Sequence, residues 1–105
     1  MSRRELEDVD QGVVTESEKK LKPPPLFRVL LHNDDYTTME FVVEVLQTVF
    51  QHTHAEATQI MLHVHRNGIG VAGVYTYEIA ETKVAIVEAM AQRREFPLKV
   101  SVEEA

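Results

Sequence analysis

An α+β domain, with a three-stranded antiparallel sheet and three helices packed on one face, is what this 105-residue sequence predicts. Three observations carry the prediction. Short apolar runs bounded by turn residues are separated by stretches whose apolar residues recur at three and four positions, in the order β-α-α-β-α-β. So few strands, interleaved with helices, imply a small sheet covered on one side. Hydrophobic residues make up 44% of the chain and charged residues 27%, which suits a single packed domain.

The elements follow in order. Residues 1–22 are rich in Glu, Asp, Lys, Arg, Gln and Ser with only scattered Val and Leu, so they are expected to form a disordered tail. Pro23-Pro24-Pro25 is a stiff, extended spacer, which puts the flexible tail at 1–25 and the core domain at 26–105. Leu26-Phe27-Arg28-Val29-Leu30-Leu31 reads as a strand stopped by Asn33-Asp34-Asp35. Thr37 with Glu40 three residues on reads as a capping box opening the first helix, whose inner face is Met39, Val42, Val43, Leu46, Val49 and Phe50. A second box, Thr53 with Glu56, opens a helix with an inner face of Ala57, Ile60, Met61 and Val64, and Asn67-Gly68 ends it. Ile69 to Tyr75 is a strand interrupted by Gly70 and Gly73, where a bend or a close backbone approach is expected. Thr76 caps a third helix from about Glu78 to Arg94, apolar at Ile79, Ala80, Val84, Ile86, Val87, Met90 and Ala91. After Pro97, Leu98 to Val102 alternates as a half-exposed strand.

Composition narrows the function. A formal charge of −6 disfavours nucleic acid and anionic membrane as partners and favours a cationic ligand or a basic protein surface. Without cysteine there are neither disulfides nor thiolate metal sites. Neither a signal peptide nor a run long enough to cross a bilayer is recognisable, so a cytoplasmic protein is expected.

The richest stretch runs from His32 to Phe41. Asn33, Asp34 and Asp35 crowd hydrogen-bond acceptors and negative charge onto one turn, more polarity than a strand end requires. Such a cluster suits a small cation, either a metal or an amine. Of the histidines, the pairs His52/His54 and His63/His65 are two apart, a spacing that points side chains to different sides of a helix and disfavours a shared metal. Met39, Met61 and Val64 lie beside the acidic turn and His65 in sequence pattern. An acceptor-lined rim next to a methionine-lined cavity would suit a cationic head on an apolar body, since Met adapts its shape. Nucleophilic catalysis has little support, with no cysteine, no nucleophile elbow and no phosphate loop. A metal-dependent hydrolase using Asp34, Asp35 and His65 stays open at this point, as does a protein–protein interaction module without an amine pocket.

Three motifs, Asn-Asp-Asp-Tyr-Thr-Thr-Met-Glu-Phe-Val-Val, Met-Leu-His-Val-His and Ala-Glu-Thr-Lys-Val-Ala, resemble the ClpS family of bacterial adaptors. These adaptors deliver N-end-rule substrates to the Clp ATPase–protease. The resemblance spans about residues 23–105 and implies a non-enzymatic, cofactor-free adaptor for proteins beginning with Leu, Phe, Tyr or Trp. By this resemblance Asn33, Asp34 and His65 bind the α-amino group, while Thr37, Met39, Val42, Met61, Val64 and Leu98 line the side-chain pocket. Met39 would act as a gate against β-branched residues. Glu78 and Lys83 would contact the N-terminal domain of a hexameric Clp ATPase, with the tail affecting delivery. Thr38, where the family often has Pro, together with Arg66 and Ile69-Gly70-Val71, departs from the commoner family sequence.

Overall fold

A computed structural model describes residues 22–105; the expectations for the tail at 1–21 lie outside the described residues. The strands are β1 (Leu26–His32), β2 (Ile69–Thr76) and β3 (Lys99–Glu104), and the helices α1 (Met39–Thr48), α2 (His54–Asn67) and α3 (Tyr77–Arg93). The order is the predicted β-α-α-β-α-β. Every boundary falls within two residues of its expected position, as is usual where helix and strand ends fray.

β1 is the central strand, antiparallel to β2 on one side and β3 on the other. Its alternation sorts the two faces. Val29 and Leu31 are fully buried and join the core, whereas Arg28 pairs with Glu103 at 3.3 Å on the open face. A bulge between Val29 and Leu30 shifts the register against β2, so that Val29 faces Gly73 while Leu30 faces Val71. The helices supply Phe41, Val45, Leu46, Ala57, Ala80 and Val87 to the same core.

Helix capping follows the sequence at some ends and departs from it at others. Thr53 and Glu56 exchange both bonds of a capping box, and Gly68 ends α2 in the left-handed region at φ 86°. The box predicted from Thr37 and Glu40 does not form. Thr38 is the cap of α1, its hydroxyl accepting from the Phe41 amide at 3.2 Å. Thr37 is drawn away because its amide and hydroxyl both donate to Asp34. Thr76 stands at the N-cap of α3 but makes no side-chain capping bond.

Two expected inner faces are also wider than the buried ones. Met39 is 43% exposed, and Ile79 and Ile86 are 49% and 45% exposed. Periodicity marks a helix face without showing how much of it neighbours cover; here the sheet reaches Ala80, Val87 and Ala91 instead. Lys83 reaches inward from α3: its ammonium donates to the Val49 carbonyl at 2.6 Å and to Gln51 Oε1 at 3.1 Å, above the rings of Phe50 and Tyr75. This closes the C-terminal end of α1, where backbone carbonyls lack helical partners.

Candidate functional site

The acidic turn is built by one residue. Asp34 Oδ1 accepts from the amides of Tyr36 at 2.8 Å and Thr37 at 2.7 Å, and its Oδ2 accepts from the Thr37 hydroxyl at 2.7 Å. An Asp that binds its own downstream backbone in this way folds the chain sharply. Partial burial acts against the charged carboxylate, but the bonds from Thr37 and Tyr36 outweigh it, and the group titrates below its ordinary value. Asp34 is therefore a fixed anion at neutral pH. Oδ2, engaged by a single hydroxyl, retains acceptor capacity.

Two further connections fix what surrounds it. The Asn33 amide donates to the Gly68 carbonyl at 2.8 Å, joining the end of β1 to the C-terminus of α2. Because Gly68 itself bonds back to Val64, the last turn of α2 carries Val64 and His65 to the same end of the sheet as Asn33 and Asp34. His32 Nε2 and Ser101 Oγ lie 2.6 Å apart and tie the end of β1 to β3, the strand that follows Leu98. Burial, followed by the positive charge of Lys99, holds the His32 imidazole below its ordinary pKa.

These junctions enclose a cavity of about 440 Å³. Asn33, Asp34, Thr37, Met39, Val42, Met61, Val64, His65 and Leu98 all line it, so the structure brings together every amine-site and pocket residue named from the sequence. The lining has two zones. Val42, Met61, Val64 and Leu98 are buried and form an apolar floor. Asn33 and His65 are exposed and, with half-buried Asp34, form a polar mouth. An apolar floor under a few convergent acceptors is the arrangement of a small-ligand site.

Four lining residues escaped the sequence reading: His32, Tyr36, Thr38 and Glu40. A histidine at the end of an apolar strand, one position before Asn33, was the available signal for the first. Asp35 also lines the cavity. Among the described residues, no three His, Cys, Asp or Glu side chains gather as a metal site.

Glu78 and Lys83 do not share this cavity. They line a separate cleft of about 320 Å³ on α3, with Ile79, Thr82 and Ile86.

The fold and cavity together define a small α+β domain with a candidate ligand site at one end of its sheet. The comparisons with known proteins make the assignment specific. The family model described as ATP-dependent Clp protease adaptor protein ClpS matches residues 22–101. The ATP-dependent Clp protease adapter protein ClpS of Myxococcus xanthus is 62% identical over 96 residues, covering 90% of both chains. Its counterpart in Desulfatibacillum aliphaticivorans is 63% identical over 91 residues, 87% of this chain and 88% of its own. The structure of Agrobacterium tumefaciens ClpS2 bound to L-phenylalaninamide is similar at a TM-score of 0.76 and 37% identity, covering 79% of this chain and 100% of that one. This chain belongs to the ClpS family of Clp protease adaptors.

Proposed function

We propose that this adaptor binds the first residue of proteins beginning with Leu, Phe, Tyr or Trp and hands them to a Clp ATPase–protease in the cytoplasm. The observation that carries the reading is the two-zone cavity. A free α-amine is a cation with three donors, and Asn33, Asp34 and His65 offer an amide oxygen, a fixed carboxylate and an imidazole nitrogen at one mouth. The floor of Val42, Met61, Val64 and Leu98 accepts an apolar side chain. Burying a Leu or Phe side chain contributes about 1.5–3 kcal/mol, and a hydrogen bond to a charged group about 1.5–3 kcal/mol. Neither contribution alone gives useful affinity, so both an amine and a bulky side chain are required. The phenylalaninamide held by the Agrobacterium protein is a ligand of this chemistry.

Met39 stands at the mouth, half exposed, where a thioether acts as a gate against side chains branched at Cβ. The partner contact is assigned to the α3 cleft, where Ile79 and Ile86 expose apolar surface beside Glu78. Lys83 enters that contact with its ammonium already engaged by Val49 and Gln51. The hydrolase reading is less well supported, since Asp34, Asp35 and His65 are not among any group of three His, Cys, Asp or Glu side chains placed to share a metal among the described residues.

The test is fluorescence anisotropy with peptides beginning with Leu, Phe, Tyr or Trp, each beside its N-acetylated twin and a Val-first control. Binding confined to free, bulky, unbranched N-termini is expected. Asp34→Asn and His65→Ala should weaken it by about 10- to 100-fold while thermal melting stays cooperative, the size expected for losing one charge-assisted bond. Indifference to acetylation would remove the amine site. Reporter proteins with the same first residues, degraded by a Clp ATPase–protease only when this chain is added, test the delivery step.

A further inference from the structure

Gly70 lies just inside β2 and is buried beneath α2. A Cβ placed there would stand 2.7 Å from Cγ2 of Val64 and 3.2 Å from Cδ2 of His63. The first distance is shorter than non-bonded carbons adopt, so the bare α-carbon is what lets the end of α2 lie this close to the strand. The Val64 amide nitrogen would be 3.7 Å away, in ordinary van der Waals contact, so the adjustment falls on the Val64 side chain, whose branched Cβ leaves it few rotamers. Val64 is 3% exposed and walls the cavity, with His65 next to it at the mouth. Val64 thus both abuts Gly70 of β2 and lines the cavity, so a shift of its side chain alters the cavity wall.

We propose that Gly70 is a positioning residue that sets the width of the cavity and hence the largest first side chain accepted. It touches no ligand. It acts by letting Val64 sit back against the sheet, so an added methyl would drive Val64 forward into the space a ring must occupy. This inference rests on the first-residue reading above. A Leu side chain needs less of the narrowed space than Trp does, so the effect is a change in selectivity rather than a uniform loss.

The experiment compares Gly70→Ala, Val64→Ala, Gly70→Ala/Val64→Ala and Gly73→Ala with the unsubstituted chain. Each is titrated with two peptides that differ only in beginning with Leu or Trp. Gly73→Ala is the control: its Cβ would press on the Tyr75 ring, which lies outside the cavity lining. Gly70→Ala should weaken Trp relative to Leu by about tenfold, the scale of one misplaced methyl in an apolar pocket. With the clash partner removed, the double variant should give the same Trp-to-Leu ratio as Val64→Ala alone, and Gly73→Ala should leave the ratio of the unsubstituted chain unchanged. Equal loss for both peptides, or the same shift from Gly73→Ala, overturns the proposal. If Gly70→Ala does not fold, the double variant compared with Val64→Ala still decides the matter: a Trp-to-Leu ratio lower in the double variant overturns the proposal. An unsubstituted chain that binds neither peptide sinks the first-residue reading itself, a result distinct from all of these.

Discussion

Asp34 shows how one residue serves structure and chemistry together. The amides it accepts from Tyr36 and Thr37 turn the chain out of β1, and the same bonds keep its carboxylate charged. A carboxyl with a depressed pKa contributes stability above its unfolded value, near 3.9, and loses it as pH falls through the folded value. Acidification to about pH 5 should therefore leave this anion intact. His32 behaves differently. Its imidazole is held below its ordinary value by burial and by Lys99, so between that value, about 6.5, and the lower folded one the unfolded chain binds more protons. Stability should decline as pH falls through that window. Urea unfolding of His32→Asn at pH 7 and pH 5.5 should show a smaller difference than the unsubstituted chain; an equal difference would place the titration elsewhere. The residue also ties β1 to β3 through Ser101, so some loss of stability at both pH values is expected.

At the scale of elements, the ends of helices matter more than their middles. Two adjacent threonines, Thr37 and Thr38, offer the same local signal for starting α1, and the sequence alone favoured the first because of Glu40. The choice is settled by Asp34, which takes both donors of Thr37 and leaves Thr38 to cap. Thr38→Ala should cost about 1 kcal/mol in chemical denaturation, with peptide affinity little changed. Thr37→Ala should do the reverse: it removes the Oδ2 bond of Asp34 and a cavity-lining group, and so weakens binding more than folding. Equal behaviour of the two variants would dissolve the distinction. Much of the rest was legible, because helix periodicity, the Thr53–Glu56 box and the Gly68 cap are decided within a few residues. What escaped was set by distant neighbours. Ile79 and Ile86 lie on an apolar stripe yet face a cleft, and Lys83 finds its acceptors at Val49 and Gln51, far away in the chain.

For the whole molecule, the cavity was legible as a set of residues but not as a shape. Asn33, Asp34 and His65 could be named from motifs, whereas the link between them runs through the Asn33–Gly68 backbone bond, which no local pattern announces. The partly covered open face of the sheet, with Ile69, Val71 and Val74 exposed, likewise follows from the placement of all three helices on the other side. Arg94 adds a further long-range tie. It pairs with Glu44 at 3.0 Å and lies over the Phe41 ring, joining the end of α3 to α1 behind the cavity.

The cavity draws its walls from the end of β1, the first turn of α1, the last turns of α2 and the residue before β3. In sequence they span His32 to Leu98, most of the folded domain. Ligand binding at this cavity is therefore expected to depend on the folded domain, because its walls come together only when β1, α1, α2 and the approach to β3 are packed. The same coupling runs in reverse. A ligand that binds only the complete domain at 100 times its dissociation constant stabilises it by about 2.7 kcal/mol. Hydrogen exchange should then slow at Val100 and Val45 as well as at the mouth, whereas protection confined to residues 33–39 would show that part of the site can form alone. An adaptor built this way would lose its ligand site together with its fold.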